Sequence, residues 1–287
     1  MPQVDDGPES GETLRRKLDP ELPLGVFDSG LGGLTVVREI AAALPRERII
    51  YLGDTARVPY GARSPATVVR YAQGCARALV REGIKALVVA CNTVSAVALD
   101  VLRAELDLPV LGVIEPGARA AVAASARLRI GVLGTVGTIS SGAYPRAVLT
   151  VSTRAEVSAH AAPLLVPLAE EGWLDGEVPR LAVRRYLEPL AAAEVDVVVL
   201  GCTHYPLLRA TIEHEAREMI GAHVRVVDSA HATASELAAL LHDRGLLATR
   251  EGPGEIDLLV TDRPRSFGEM TARFLGGPAR EVRVIDL

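Results

Sequence analysis

Residues 197–206 read VVVLGCTHYP. Four apolar residues and a glycine predict a buried strand, and the Cys-Thr-His cluster that follows predicts a polar loop at its carboxyl end. In open α/β sheets, ligands bind in the crevice beyond the carboxyl ends of the strands. We therefore expect Cys202 and His204 to face such a crevice.

A second stretch of the same form, ALVVACNT at residues 86–93, ends in Cys91. Each cysteine-bearing strand stands between other predicted strands, which end near residues 28 and 115 in the first half and near 134 and 228 in the second. A single cysteine at a strand end is commonly a small buried hydrophobe. Two in matching places of similar halves indicate a site across a pseudo-twofold axis, with one thiol from each side.

Predicted strands and helices alternate along the whole chain, which favours parallel sheets with helices on both faces. With 287 residues, 49% of them apolar, the chain is long enough for two such domains. We therefore predict two similar doubly wound α/β domains with the active site in the crevice between them. Among the predicted elements are helices over 94–106 and 207–220 and a strand over 110–114.

Composition excludes several classes of partner. The net charge is −5 and the arginines are scattered, so nucleic acid is not expected. No apolar run approaches the roughly 20 residues that a membrane span requires. Residues 1–22 are rich in Asp, Glu, Gly and Pro and have no apolar core, so they predict a flexible, solvated tail and not a signal peptide. A cytoplasmic location is therefore expected.

The remaining cysteine and the lysines bear on cofactors. Cys75 lies on the apolar face of a predicted helix and is interpreted as core packing. The only lysines are Lys17, in the tail, and Lys85, which precedes a strand and so lies away from the carboxyl ends where the site is expected. A pyridoxal Schiff base is therefore not expected. Cys202 and His204 are the only closely spaced Cys/His pair, which argues against a metal site. We expect no cofactor.

Two thiols facing one carbon suggest a specific chemistry. A thiol pKa near 8.5 is lowered by a helix N-terminus or a histidine, and both cysteines precede a predicted helix. One thiolate and one thiol on opposite sides of a bound carbon would carry out a two-base racemisation or epimerisation. Asp28, Glu170 and His204 are the titratable groups best placed to assist. Asp28 and Ser29 are equally well explained as caps of the next helix.

Six segments, in order over most of residues 24–229, resemble the bacterial glutamate racemases of the aspartate/glutamate racemase superfamily. They are residues 26–35 (VFDSGLGGLT), 53–61 (GDTARVPYG), 91–93 (CNT), 113–117 (VIEPG), 137–144 (GTISSGAY) and 200–208 (LGCTHYPLL). The resemblance implies that Cys91 and Cys202 are the catalytic acid/base pair. It implies substrate contacts at Asp28, Ser29, Pro59, Tyr60, Gly61, Asn92, Thr93, Thr203 and His204.

The resemblance also implies a cofactor-free enzyme that interconverts L- and D-glutamate and supplies D-glutamate for peptidoglycan. A discontinuous first domain is implied, formed by residues 23–115 and 229–287, with residues 116–228 as the second. A homodimer is expected, although the residues do not specify an oligomeric state. Residues 94–96 (VSA) and Ala162 depart from the family pattern, but neither departure touches an inferred catalytic group.

Two other classes of function stay open at this point. A hydrolase with a cysteine nucleophile would need only one of the thiols, with His204 as base, and would form a covalent thioester. An amino-acid sensor would leave both thiols without a chemical role. Only the racemase needs Cys91 and Cys202 together.

Overall fold

The structure is a computed structural model that describes residues 18–263, 267–277 and 281–287. Residues 1–17 of the predicted tail, including Lys17, lie outside the described residues. The rest of that predicted tail is packed against the fold, since Lys85 Nζ donates to the Pro20 carbonyl at 2.5 Å and Arg250 pairs with Glu21 at 3.0 Å. Residues 18–22 are therefore part of the folded chain.

The strands of the described residues form two sheets. They are β1 (Leu24–Asp28), β2 (Ile49–Gly53), β3 (Ala86–Val89), β4 (Val110–Gly112), β5 (Arg129–Gly134), β6 (Glu156–Ala161), β7 (Val197–Gly201), β8 (Arg225–Asp228), β9 (Ile256–Val260) and β10 (Val282–Val284). The first sheet has the order β10-β9-β2-β1-β3-β4 and the second the order β6-β5-β7-β8.

All described strand pairs are parallel. β2-β1-β3-β4 and β6-β5-β7-β8 have the same topology, in which the first strand of each half lies between its second and third. The two cysteine-bearing strands, β3 and β7, occupy equivalent places. The prediction of two similar parallel α/β halves is therefore confirmed.

Helices cover both faces of the sheets. They are α1 (Leu34–Ala43), α2 (Pro65–Arg81), α3 (Asn92–Val97), α4 (Leu99–Glu105), α5 (Ile114–Ala124), α6 (Val136–Ser140), α7 (Ala143–Val151), α8 (Leu165–Glu171), α9 (Glu177–Ala192), α10 (Arg209–Met219), α11 (Ser229–Asp243) and α12 (Phe267–Leu275). None of the helices in the described residues combines the length and apolar character that crossing a membrane requires.

Successive strand residues face different cores, as the period of two requires. In β1, Val26 packs with residues of α1 and α11, whereas Phe27 packs with residues of α2. In β7, Val198 and Val199 likewise belong to different clusters. Because both faces are covered, the central strands β3 and β7 are apolar throughout, as is typical of parallel sheets.

The strand predicted over 110–114 is too long. It ends at Gly112, and Ile114 begins α5 with Glu115 in its first turn. Pro116 is tolerated at the third helical position because the amide it lacks has no partner within the helix there. The Glu-Pro-Gly segment therefore lies in the first turn of α5.

The helices that follow the two cysteines also differ from prediction. The helix expected over 94–106 starts at Asn92, directly after Cys91, and is divided into α3 and α4 at Ala98. After Cys202, the chain forms a short 3₁₀ helix, Tyr205–Leu208, before α10 begins at Arg209. Only Cys91 is thus adjacent to an α-helix N-terminus, and the expectation that both thiols have this support is wrong for Cys202.

The sheets support a division of the chain into two domains. β9 and β10 extend the first sheet beyond β2, and Leu237 of α11 belongs to the core of that sheet. Among the described residues, the strands of the second sheet are β5 to β8, which all lie within residues 116–228. On this basis we propose residues 23–115 with 229–287 as the first domain and residues 116–228 as the second.

Candidate active site

A cavity of about 360 Å³ lies where strand ends of the two sheets meet. Ser29, Thr135 and Cys202 come directly after β1, β5 and β7, and Cys91 follows β3 after one residue. The first half also contributes the loop from Val58 to Ala62. The other lining residues are Gly30, Asn92, Thr93, Val136, Pro163, Val166, Pro167, Glu170, Thr203 and His204.

The cavity brings together almost all of the residues singled out from the sequence. Cys91 and Cys202 both line it and are 5% and 7% exposed. Cys75 lies on α2 and is fully buried in the core, as predicted. Asp28 is the predicted site residue that is not in the cavity lining, because it is fully buried behind the Ser29-Gly30 turn.

Asp28 organises the turn that carries Ser29. Its Oδ2 accepts the Gly30 amide at 3.2 Å and the Gly33 amide at 3.0 Å, which holds the glycine-rich turn before α1. A Cβ on Gly33 would lie 2.5 Å from the Asp28 Cβ, so only glycine allows this approach. Asp28 Oδ1 is buried and has no hydrogen-bond partner. The carboxylate thus influences the site indirectly, through the turn that it holds and through its charge.

Cys91 lies in surroundings that disfavour its thiolate. Its Sγ donates to Ser29 Oγ at 3.5 Å. Burial, together with the charge of the nearby Asp28 carboxylate, raises the pKa of the Cys91 thiol to about 12, although the Ser29 hydrogen bond lowers it in part. In the free protein at neutral pH, Cys91 is therefore a thiol that is ready to donate a proton.

Cys202 has different neighbours. His204 Nδ1 lies 3.8 Å from its Sγ, and His204 Nε2 lies 3.1 Å from Glu170 Oε1. Burial disfavours the charged ring, but the hydrogen bonds with Cys202 and Glu170 outweigh it and raise the pKa of His204 to about 10. A protonated imidazole beside the sulfur stabilises a thiolate. The two thiols thus have different surroundings, with Asp28 and Ser29 beside Cys91 and a protonated imidazole beside Cys202.

The halves approach closely at the glycine-rich turn. A Cβ on Gly32 would lie 2.4 Å from Thr203 Oγ1 and 2.5 Å from His204 Nδ1, so this position requires glycine. Thr35 Oγ1 of α1 donates to the Thr203 carbonyl at 3.1 Å. The first half therefore holds the Cys202 loop in place directly.

The side-chain amide of Asn92 has one end engaged in a hydrogen bond and one end without a partner. Its Oδ1 accepts the Tyr144 hydroxyl at 2.7 Å, whereas its Nδ2 is buried without a partner. An unsatisfied buried donor is costly unless a ligand or water pairs with it. Asn92 Nδ2 is thus suited to a carboxylate oxygen of a bound ligand.

Three threonine hydroxyls join the halves beside Asn92. Thr93 Oγ1 lies 3.0 Å from Thr135 Oγ1 and 3.3 Å from Thr138 Oγ1. The sequence-based reasoning missed Thr135 and Tyr144. Thr135 directly follows the predicted strand that ends at Gly134, so the strand-end rule that selected the cysteines would also have selected it.

The loop that carries Pro59, Tyr60 and Gly61 is anchored from behind. The buried carboxylate of Asp54 accepts hydrogen bonds from the Tyr60 hydroxyl, from Arg57 Nε at 2.7 Å and from Thr261 Oγ1 at 2.8 Å. Tyr60 therefore lines the cavity while its hydroxyl points to Asp54. A Cβ on Gly61 would lie 2.9 Å from the Thr135 Cβ, so this loop also packs against the other half.

Such a cavity can move a proton from one face of a bound carbon to the other. A base on one wall and an acid on the opposite wall are the two groups that this chemistry needs. In the described part of the chain, no group of three Asp, Glu, His or Cys side chains is arranged to hold a metal ion.

Comparisons with known proteins agree with this architecture. The sequence profile of the Asp/Glu/hydantoin racemase family matches residues 24–237. A glutamate racemase from Geobacter metallireducens is 51% identical over 268 residues, which covers 93% of this chain and 98% of that protein. The chain belongs to the Asp/Glu/hydantoin racemase family.

Solved structures give the same result. A glutamate racemase isoform from Bacillus anthracis superposes with a TM-score of 0.88 at 40% identity, and the match covers 93% of this chain and 98% of that one. A glutamate racemase from Francisella tularensis in complex with D-glutamate gives a TM-score of 0.85 at 34% identity, with the same coverage of 93% and 98%. The fold of two parallel sheets is thus that of solved glutamate racemases.

Proposed function

We propose that this protein is a glutamate racemase that interconverts L- and D-glutamate by proton transfer between two thiols, without a cofactor. The observation that carries the proposal is that Cys91 and Cys202, from equivalent strands of the two halves, line one cavity. The identity to glutamate racemases over nearly the whole chain supports glutamate as the substrate.

The reaction balances with the two thiols alone. Cys202, as thiolate, removes the α-proton of L-glutamate and becomes a thiol. Cys91, as thiol, gives its proton to the opposite face of the same carbon and becomes a thiolate. D-Glutamate then leaves, and the thiols exchange protons with water to restore the starting form. In the reverse direction each thiol takes the other role.

The polar residues of the cavity bind the substrate in this proposal. Asn92 Nδ2 and the Ser29-Gly30 turn hold the α-carboxylate and ammonium, with Thr93 beside them. Pro59, Tyr60, Gly61 and Thr203 lie against the remainder of the substrate. The free amide of Asn92 supports this assignment, because a carboxylate oxygen would satisfy it.

His204, Glu170 and Asp28 assist the thiols. His204 and Glu170 act on Cys202, since their hydrogen bonds form a continuous series from the sulfur to the carboxylate. Asp28 acts on the Cys91 side through the turn that it holds and through its charge. His204 and Glu170 thus assist one thiol, and Asp28 assists the other.

In the cell, the proposed product is D-glutamate for peptidoglycan, made in the cytoplasm. We also propose a homodimer. What supports it is a group of exposed apolar side chains on and around α8 and α9 of the second half, which are Leu164, Trp173, Val178 and Leu181. Such side chains are typical of surfaces that associate.

Polarimetry tests the proposed function. Incubation of the protein with L-glutamate is expected to reduce the optical rotation to zero, because the two enantiomers are equally stable. L-Aspartate, as the control substrate, is expected to keep its rotation over the same time. A constant rotation with L-glutamate would contradict the proposal.

A cysteine hydrolase is the second candidate, because Cys202, His204 and Glu170 form a nucleophile, base and carboxylate series. That function gives no role to Cys91 in the same cavity. Mass spectrometry decides between them, since a hydrolase forms an acyl adduct on Cys202 and a racemase forms none.

Replacing His204 with asparagine is expected to lower kcat/KM about tenfold, which corresponds to about 1.4 kcal/mol of lost transition-state stabilisation. The loss is the same in both directions, because the equilibrium constant between enantiomers is one. Primary isotope effects on kcat/KM separate the two walls. The effect with α-deuterated L-glutamate should rise and that with α-deuterated D-glutamate should fall, because proton transfer at Cys202 becomes the slower step.

Equal changes in the two isotope effects would remove the reason for assigning His204 to Cys202. Asparagine at this position keeps a polar side chain of similar reach, so the comparison isolates the charge of the ring.

A further inference from the structure

The helix α12 approaches the Cys202 wall from outside the part of the chain that the family profile matches. That match ends at residue 237, whereas α12 spans Phe267–Leu275. Phe267 and Phe274 of α12 belong to the core of the first sheet, together with residues of α1. Two neighbouring residues of α12, Arg273 and Phe274, also contact the second half.

Phe274 contacts His204. The two rings are 5.1 Å apart between centroids and nearly perpendicular, with an interplanar angle of 80°. Phe274 is fully buried, so its ring has little freedom to move. An edge-on aromatic contact of this kind fixes the plane of the histidine ring. It therefore restricts the direction in which His204 Nδ1 and Nε2 point.

Arg273 contacts the helix that carries Glu170. Its Nη1 donates to the Ala169 carbonyl at 3.4 Å and also to the Glu170 carbonyl. These carbonyls lie in the last turn of α8, where the supply of helical amides ends, and a cation there is favoured by the helix dipole. Arg273 thus caps α8 from the other half.

The residue that ends α8 leaves room for this cap. Gly172 has a φ of 78°, and its amide donates to the Ala169 carbonyl at 3.2 Å. A Cβ on Gly172 would lie 2.7 Å from an Arg273 guanidinium nitrogen. Glycine is therefore favoured both by the backbone conformation and by the space that the arginine needs.

Both contacts lead to the same pair of side chains. Glu170 Oε1 lies 3.1 Å from His204 Nε2, so Arg273 acts on the backbone of one member and Phe274 on the ring of the other. On the Cys91 wall, Ser29 and Asp28 are held by the turn after β1 instead. The two contacts of α12 are thus specific to one of the two thiols.

We propose that Arg273 and Phe274 are positioning residues for proton transfer at Cys202, because α12 holds Glu170 and His204 in the place from which they act on that thiol. The inference rests on the proposed racemase function. The C-terminal part of the chain then acts in proton transfer at Cys202 and not in proton transfer at Cys91.

Arg273→Met tests the proposal, since methionine keeps an unbranched side chain but has no donor for the carbonyls of α8. We expect kcat/KM for glutamate to fall about tenfold, as a small misplacement of catalytic groups produces. The primary isotope effect with α-deuterated L-glutamate should rise and that with α-deuterated D-glutamate should fall, as for the His204 variant. Arg273→Lys, which keeps a cationic donor, should restore part of the loss.

Glu269→Gln is the matched control. Glu269 lies on the same helix with its side chain exposed, so this variant should keep the kcat/KM and both isotope effects of the parent protein. Thermal unfolding followed by circular dichroism shows whether each variant is folded at the assay temperature. Phe274→Leu, which retains an apolar side chain in the core, should give the same isotope-effect pattern as Arg273→Met.

A second readout does not depend on the substrate. With iodoacetamide at pH 8, Arg273→Met should slow the alkylation of Cys202 severalfold and leave the rate at Cys91 unchanged. An unchanged kcat/KM, or a loss with both isotope effects unchanged, would overturn the proposal. If the parent protein does not racemise glutamate, the proposed function fails, and equal alkylation rates at Cys202 in parent and variant would then show that α12 does not position His204 either.

Discussion

Replacing either Cys91 or Cys202 with alanine is expected to lower the rate of glutamate racemisation at least about a hundredfold, the lower end of what one acid or base contributes. Each thiol lies on one wall of the cavity, so the remaining thiol reaches only one face of the α-carbon. Cys75→Ala is the matched control, because Cys75 is buried in the core and does not line the cavity. That variant should keep most of the activity.

Each single-cysteine variant should still carry out half of the reaction. In deuterated water, Cys91→Ala should exchange the α-proton of L-glutamate with retention of configuration, since Cys202 remains. Cys202→Ala should do the same with D-glutamate. Proton NMR measures both exchanges. Rapid racemisation by either variant would contradict the assignment of one thiol to each face.

The two thiols are also expected to differ in their reaction with iodoacetamide. Because the pKa of Cys91 is raised to about 12, its thiolate fraction at pH 8 is about a thousandfold below that of an ordinary thiol. The greater nucleophilicity of a more basic thiolate offsets part of this difference and leaves roughly a hundredfold. Cys202 has the protonated His204 beside it, since the pKa of that ring is raised to about 10.

At pH 8, Cys202 should therefore be labelled about a hundredfold faster than Cys91. The exposed fractions of 5% for Cys91 and 7% for Cys202 are too similar to produce such a ratio. The Cys91 rate should rise about tenfold for each pH unit below its pKa, since the thiolate fraction does so. Peptide mass spectrometry measures both rates, and labelling in urea should make them equal. Equal rates in the folded protein would contradict the account.

The central features of the fold followed from local patterns. Runs such as 197–200 are apolar at every position because both faces of a parallel sheet are covered, so they identified the strands and placed Cys91 and Cys202 at their ends. The pairing of His204 with Glu170 joins residues that are far apart in the sequence. The periodicity of the sequence contains no information about such a pair, although each residue was singled out separately as a titratable group.

Other features had no clear local signal. The start of α5 lies within the strand predicted over 110–114, because the apolar run continues to Ile114 and the proline that follows is as compatible with a strand end as with a first helical turn. β10 is short and exposed, so its residues show little apolar pattern. The contacts of α12 depend on how two halves meet, which only the tertiary structure shows.

The isotope content of the first product distinguishes two thiols from a single base. Starting from L-glutamate in deuterated water, the D-glutamate formed early should bear deuterium at the α-carbon, because Cys91 carries a deuteron from solvent. The L-glutamate that remains should stay largely protiated. Protium retained in the early D-glutamate would show that one base serves both faces and would contradict the account.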